Sequence, residues 1–263
     1  MAINSIFLLN NKQLNMNQRL IPRFSRKESK MFFQTLNQRV NQYFKEKKIA
    51  KTGNWKLYLK TIVMFTILIA PFVLILSLNI SDWFKLLLTI LIGIGMAGVG
   101  MNVMHDGNHG SFSKYPWINK LMGSSIYMLA GNVFNWKIQH NILHHTYTNI
   151  KDHDEDLEAG VVLRFSKHAE WKPHHRFQHL YFVLLYGLLT LKWAIISDFV
   201  KLTRYQKMNI SYANSRSLSY QWVGLIISKI VYFSFWIVLP IFVFNIVWWK
   251  VLVGFFVMHY TAG

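Results

Sequence analysis

Residues 86–109, LLLTILIGIGMAGVGMNVMHDGNH, are the most informative part of the sequence, because an uncharged apolar run passes directly into a pair of histidines. No charged residue occurs from Leu86 to Met104, and a helix needs about 20 apolar residues to cross a bilayer. His105 and His109 follow, four residues apart, so they project from one face of a helix. We therefore predict a membrane-spanning helix that ends in a paired imidazole site.

Two further runs, 61–81 and 230–249, also lack charged residues, and 251–263 begins a fourth. Of the 263 residues, 52% are hydrophobic and 15% are charged, whereas a soluble domain carries about 25% charged residues. These features predict an all-α integral membrane protein of helical hairpins, with about four spans, the last incomplete, and a helical cytoplasmic cap that carries the histidines. The shorter runs 121–136 and 177–197 favour interfacial or tilted helices.

The net charge of +18 is unevenly distributed. Residues 1–57 carry twelve Lys or Arg against two acids, and residues 105–221 carry thirteen against eight. Because basic loops stay in the cytoplasm, we expect both the N-terminus and the histidines there, and we divide the chain at 57/58. Apolar residues from Phe32 to Phe44 predict an amphipathic helix on the membrane surface. Attraction to anionic lipids explains the basic excess, and a docking face for an acidic electron carrier is the alternative; no nucleic-acid module is matched.

A second histidine cluster, HNILHH, contains His140, His144 and His145. The first two repeat the four-residue spacing, and His145 is rotated by about 100° from His144. The chain has no cysteine, which excludes thiolate ligands and disulfides. Imidazole binds iron, zinc, copper and nickel, so the ligands alone leave the metal open. An adjacent pair of histidines suits two metal ions better than one.

Other polar residues have positions near these clusters. Four of them are candidate acceptors for imidazole N–H groups, or else polar residues facing water: Asp106, Asn108, Asp154 and Asp156. His175 and His179 are candidates for a substrate-headgroup or surface role, and His153 is expected in a solvated acidic loop. Trp136 and Trp171 are expected as interfacial anchors. We predict no catalytic group beyond the metal ligands.

The boxes HDGNHGSFS and HNILHHTYTN resemble those of the membrane fatty acid desaturases, most closely the acyl-lipid and linoleoyl-CoA group that includes the front-end enzymes. The resemblance extends to FFQTLNQRVNQYF, KDHDEDLE and KPHHRFQHLYF, and runs from about Phe32 to the last residue. It implies a non-haem di-iron centre that uses O2 to insert a double bond into a long-chain fatty acyl group. The residues that it assigns as iron ligands are His105, His109, His140, His144 and His145.

The resemblance also implies partners and a third histidine box. The acyl group would be linked to CoA, acyl-carrier protein or a lipid, and a ferredoxin or cytochrome b5-type protein would supply electrons, since no flavin or dinucleotide fingerprint is present. The family's third box, QxxHH or HxxHH, does not occur, so we expect a C-terminally truncated desaturase that is inactive alone. His259 is a candidate substitute ligand. A related histidine-box hydroxylase, a bis-histidine haem protein and a non-catalytic metal-binding protein remain as alternatives.

Overall fold

The computed structural model describes residues 22, 26–157, 160–212 and 215–263, and within these ranges it contains helices and no strand. The all-α prediction is therefore confirmed. Most of the Asn-rich start of the basic segment, residues 1–21 and 23–25, lies outside the described residues. The predicted amphipathic helix is present as Arg26–Glu46, and its apolar residues Phe32, Leu36 and Val40 are exposed. Its position on a membrane surface stays a prediction.

Three helices of the described chain are long and apolar enough to cross a membrane: the first span (Trp55–Ser77), the second span (Asp82–His109) and the third span (Leu218–Phe242). The segments Pro173–Tyr186 and Leu189–Lys207, bent by 60°, would together make a fourth. The C-terminal helix follows at Trp248–Ala262. These helices identify an integral membrane protein, as the sequence predicts.

The second span lies between two helices that approach its backbone closely. A Cβ atom at Gly95 would lie 2.5 Å from the backbone nitrogen of Leu68 in the first span. A Cβ at Gly93 would lie 2.5 Å from the carbonyl oxygen of Met258 in the C-terminal helix. Small residues allow helices to pack tightly where lipid provides no hydrophobic driving force. Glycine at these two positions therefore fixes the helix that carries the first histidine pair.

The third span differs from its prediction. An uncharged run placed it at 230–249, but the helix extends from Leu218 to Phe242 and includes Lys229. Lys229 is 5% exposed, and its ammonium contacts the Asp198 carboxylate at 3.0 Å and the carbonyl oxygen of Trp193 at 3.1 Å. Because these oxygens compensate the buried charge, a lysine is tolerated inside the span. The predicted start at residue 230 is therefore wrong, and the predicted end at 249 is wrong as well, because the helix ends at Phe242.

Short helices form the cap at the histidine end. After the second span come Pro116–Ser124 and the 3-10 turn Ser125–Leu129, so the run 121–136 contains no spanning helix, as predicted. The second-box helix, residues 133–147, carries the second histidine cluster. The brace helix, Asp198–Lys207, packs between the second-box helix and the third span.

Candidate metal centre

The second span continues without a break through the first histidine pair. Its segment Val99–Met104 is π-helical, a rare form that is frequent at functional sites. His105 and His109 follow in α-helix, with ring centroids 4.5 Å apart. Gly110 ends the helix in the left-handed conformation, with φ of 72°. The predicted extension of the span to carry this pair is confirmed.

The second-box helix is capped by Asn132, whose side chain accepts a hydrogen bond from the backbone N–H of Asn135 at 3.1 Å. It then widens into a π-helical segment, Lys137–His144. The rings of His140 and His144 stack at a centroid distance of 5.2 Å. Sequence spacing predicted that these two side chains share a face, and they do, although the helix type there is π rather than α.

The two helices bring all five predicted histidines into one cluster. The Nε2 atoms of His105 and His140 lie 3.2 Å apart. The His145 ring lies 4.9 Å from that of His109 and 4.9 Å from that of His140. Residues separated by 35 positions in the chain therefore face one another at the end of the second span. We call this set of five residues the histidine cluster.

The donor atoms of the histidine cluster fit metal ions. Two nitrogens bound to one ion at about 2.0–2.1 Å lie roughly 3 Å apart, which is close to the separation of the His105 and His140 Nε2 atoms. One set of ligand atoms, from His105, His109 and His140, and a second, from His140, His144 and Asp156, each lie within 4.8 Å of one another. An arrangement of neutral imidazoles with one carboxylate is chemically suited to non-haem iron and to other divalent transition metals.

Asp154 is placed to orient His144. It is 1% exposed, and its Oδ1 lies 3.0 Å from Nδ1 of His144. The carboxylate is itself held by the backbone N–H groups of Asn149, at 2.8 Å, and Asp156, at 3.0 Å. A carboxylate that accepts the Nδ1 hydrogen fixes the tautomer in which Nε2 offers its lone pair to a metal.

Asp156 lies closer to the ring nitrogens than a purely surface residue would. Its Oδ2 is 3.2 Å from His144 Nδ1 and 3.8 Å from His140 Nδ1, and its Oδ1 accepts a hydrogen bond from Gln139 at 2.7 Å. Burial favours the neutral acid, but hydrogen bonds with His140 and Gln139 outweigh it, so the pKa of Asp156 is lowered. Burial and neighbouring imidazoles lower the pKa of His145. Both residues are thus in the forms that bind metal at neutral pH.

Trp136 is the site residue that sequence analysis missed. It was expected as an interfacial anchor, but it is 8% exposed and forms one wall of the histidine cluster. Its ring stacks on that of His140 at 4.6 Å and meets the edges of His105 and His109 at 5.7 and 5.5 Å. Its position four residues before His140 was the available signal, since i and i+4 side chains are neighbours on a helix. Trp171, by contrast, is exposed.

The polar residues of the first box do not all contact imidazoles. Asp106 lies 3.5 Å from Nδ1 of the adjacent His105, a long separation for a hydrogen bond. Asn108 is buried and donates through Nδ2 to the carbonyl oxygen of Gly123 at 3.0 Å. The geometry therefore assigns Asn108 to helix packing rather than to the imidazole support expected of it, because its side chain faces the helix Pro116–Ser124.

The remaining histidines outside the spans are not brought to the cluster. His175 is buried, and its ring accepts a hydrogen bond from the backbone N–H of Lys172 at 3.0 Å and lies 3.1 Å from the Val161 carbonyl oxygen. It therefore fixes a loop and does not have the surface or substrate position expected of it. His179 is exposed, in agreement with a surface position. His153 was expected in a solvated loop, but its Nε2 is buried, and its ring packs 5.3 Å from that of Tyr147.

His259 has both ring nitrogens engaged away from the cluster. It is 0% exposed in the C-terminal helix. Its Nε2 lies 2.8 Å from the Tyr232 hydroxyl, and its Nδ1 lies 3.1 Å from the Thr190 hydroxyl. It belongs to neither of the two candidate ligand sets of the described residues. The structure thus gives His259 a role in joining helices and does not support it as a substitute ligand.

The brace helix connects the histidine cluster to the third span. Asp198, at its start, accepts from Asn135 Nδ2 at 3.1 Å and pairs with Lys229. Lys201 donates to Gln139, which donates to Asp156. Further along, Arg204 and Tyr205 both contact Glu155, at 3.1 and 2.6 Å. Each side of the second histidine box is therefore held by the same helix.

The family model and the similar proteins that match this chain all point to the same family. The family model described as fatty acid desaturase matches residues 81–262. The sn-1 linoleoyl-lipid 6-desaturase of Arthrospira platensis is 37% identical over 62% of this chain and 45% of the relative. The protein of the same name from Synechocystis sp. is 32% identical, over 66% and 48%. The acyl-lipid (8-3)-desaturase of Physcomitrium patens is 31% identical, over 66% and 36%. The chain thus spans about half the length or less of these relatives, and no solved structure matches it.

Proposed function

Because the chain belongs to the fatty acid desaturase family, we propose that the histidine cluster binds two non-haem iron ions and that the protein desaturates long-chain fatty acyl groups. One observation carries the proposal: two histidine boxes 35 residues apart converge at the end of the second span, with the Nε2 atoms of His105 and His140 at 3.2 Å. The proposed iron ligands are the five residues of the histidine cluster.

Iron at this cluster would allow O2 to be reduced to two molecules of water. Two of the four hydrogen atoms in this water come from adjacent methylenes of the acyl chain. The other two are supplied from outside as two electrons and two protons. A carbon–carbon double bond is the organic product. We propose that a ferredoxin or a cytochrome b5-type protein supplies these two electrons, because the acyl chain provides only two of the four that the reduction of O2 requires.

The chain's own residues hold the ligands in position. Asp154 accepts the Nδ1 hydrogen of His144, and Trp136 packs against His140, which limits rotation of that ring. Asp156, held by Gln139, lies beside the Nδ1 atoms of His140 and His144 and is proposed to orient these rings rather than to bind iron itself. We retain Asp106 as a weaker support for His105, at 3.5 Å. Rigid placement matters because selecting one methylene among many similar ones depends on geometry.

The substrate class is proposed from the relatives. Two of them are named for a linoleoyl lipid and a third for an acyl lipid. We therefore propose an unsaturated fatty acyl group carried on a membrane lipid, with CoA and acyl-carrier protein as the other possible carriers. We also propose that residues 1–57 form a separate basic segment and that the N-terminus and the histidine cluster face the cytoplasm, because the basic excess occurs in those segments.

The experiment is product analysis in a host without its own polyunsaturated fatty acid desaturases. The complete reading frame that contains this chain is expressed with linoleate supplied, and methyl esters are analysed by mass spectrometry. A new double bond is expected, together with about two irons per purified protein, and His144→Ala should abolish both. A hydroxylated product without a new alkene would replace desaturation by hydroxylation. A Soret band in the purified protein would indicate haem instead.

A further inference from the structure

We propose that the cleft at the end of the spans opposite the histidine cluster binds one acyl chain of a membrane phospholipid, whose phosphate contacts lysines at the mouth. We call it the lipid cleft. It lies among the first, second and third spans and the C-terminal helix, near the turns that join them. This proposal concerns the membrane domain alone and does not depend on the proposed desaturation.

The interior of the lipid cleft suits a hydrocarbon chain. Its volume is about 450 Å³, within the range of roughly 300–1,000 Å³ typical of ligand pockets. Apolar side chains from four helices line it: Phe72, Ile92, Trp236, Pro240, Phe255 and Met258. Apolar cavities favour apolar ligands over water. Since the cleft lies between membrane-spanning helices, lipid chains are the apolar molecules at hand.

The mouth of the lipid cleft is polar and carries a net positive charge. Lys85 and Lys250 line it together with one acid, Asp82, whose Oδ2 lies 2.6 Å from the Lys250 ammonium. Two cations against one carboxylate leave one positive charge for a phosphate. Trp83 and Trp249 also line the cleft and are exposed, as aromatic residues at a membrane–water interface are. An apolar interior beneath a cationic mouth at this depth matches an amphiphile with an anionic headgroup.

A chain held in this cleft is remote from the histidine cluster. Along the second span, Ile92 is the lining residue nearest in sequence to the histidines and precedes His105 by 13 positions, which corresponds to about 20 Å at 1.5 Å per residue. Between them lie Met96, Val99 and Val103, which are buried in the core. The cleft is therefore a separate lipid site and not the place where a substrate chain would meet the metal centre.

Glycine 254 provides a direct test. A Cβ at Gly254 would meet only the Thr89 side chain, at 3.7 Å, so Gly254→Leu directs a larger side chain into the cleft without a backbone clash. A Cβ at Gly224 would meet no atom within 4 Å, which makes Gly224→Leu the matched control. The full chain is placed in lipid nanodiscs that contain phosphatidylglycerol with a diazirine in its acyl chain. After irradiation, the labelled peptides are identified by mass spectrometry.

We expect labelling of the peptides that contain Phe244 and Val253, which falls at least 5-fold in Gly254→Leu and is unchanged in Gly224→Leu. The double variant Lys85→Gln/Lys250→Gln should reduce labelling by phosphatidylglycerol but not by a diacylglycerol with the same diazirine chain, and this variant leaves the interior intact. Labelling spread evenly over all outer helix faces and insensitive to Gly254→Leu would overturn the proposal. So would labelling of the cleft by an acyl-CoA probe where the phospholipid probe gives none.

Discussion

Nδ1 of His144 lies 3.0 Å from Oδ1 of Asp154, a carboxylate that is 1% exposed and holds two backbone N–H groups as well. Such a carboxylate has few alternative partners, since water does not reach it. It therefore constrains both the rotation and the tautomer of the imidazole. This relationship makes Asp154 a positioning residue for the proposed metal ligand and gives the first prediction.

Asp154→Asn should weaken metal binding by about 10–100-fold, because removing a carboxylate support of a ligating histidine has that effect. Iron content of the purified product of the complete reading frame, and its retention during dialysis against a graded chelator, would measure the loss. Glu170→Gln, an exposed acid remote from the cluster in sequence, is the control and should keep its iron. Wild-type iron retention in a folded Asp154→Asn variant would contradict the assignment.

His259 gives the opposite expectation. Its ring nitrogens contact the hydroxyls of Tyr232 and Thr190, so His259→Leu should leave iron content unchanged. The variant should lose about 1–3 kcal/mol of stability, because the buried Tyr232 hydroxyl loses its partner. His140→Leu should show the reverse, with loss of iron. The two variants are compared by iron content and by thermal unfolding in detergent, and iron loss in folded His259→Leu equal to that in His140→Leu would restore His259 as a ligand.

The contrast between these histidines shows what sequence reasoning can reach. The spacing of His105 with His109, and of His140 with His144, is local and follows from helix periodicity, so those pairs were predictable. The stack of Trp136 on the cluster depends on where the second-box helix meets the second span. Nothing in the residues around His259 reveals that Thr190, 69 positions away, contacts its ring. Contacts of that range appear only in the folded chain.

The start of the third span was predicted wrongly for the same reason. In the sequence, Lys229 interrupts an apolar run and so predicts that no helix spans the membrane through it. In the structure, its charge is compensated by Asp198, 31 residues earlier in the chain. The predicted fold class was correct, because it depends on the composition of whole segments rather than on one residue. The predicted start of the third span was wrong, because it depends on one distant carboxylate.

The Lys229–Asp198 pair should therefore be costly to break. Lys229→Met leaves Asp198, 0% exposed, without its cation, and removal of one partner of a buried pair costs about 3–5 kcal/mol. The double variant Lys229→Met/Asp198→Asn should be less destabilised than Lys229→Met alone, since no uncompensated charge remains. Stability is measured by denaturant unfolding in detergent.

Lys250 offers the matched control for that experiment. It also pairs with an aspartate, Asp82, but both side chains are exposed enough for water to reach them. Lys250→Met should therefore have a much smaller effect than Lys229→Met, because exposed ion pairs contribute little. Equal destabilisation by the two substitutions would show that burial of the Lys229 pair is not what stabilises the third span.

The orientation of the membrane domain can be tested without background, because the chain contains no cysteine. Asn79 is exposed in the turn between the first two spans, and Lys114 is exposed just beyond the first histidine box. If basic segments face the cytoplasm, Lys114→Cys in intact cells should resist a membrane-impermeant maleimide and react after permeabilisation. Asn79→Cys should react before permeabilisation, with at least a 5-fold difference between the two. The converse pattern would place the histidine cluster outside the cytoplasm and remove it from cytoplasmic electron donors, whereas labelling of both sites in intact cells would contradict the hairpin itself.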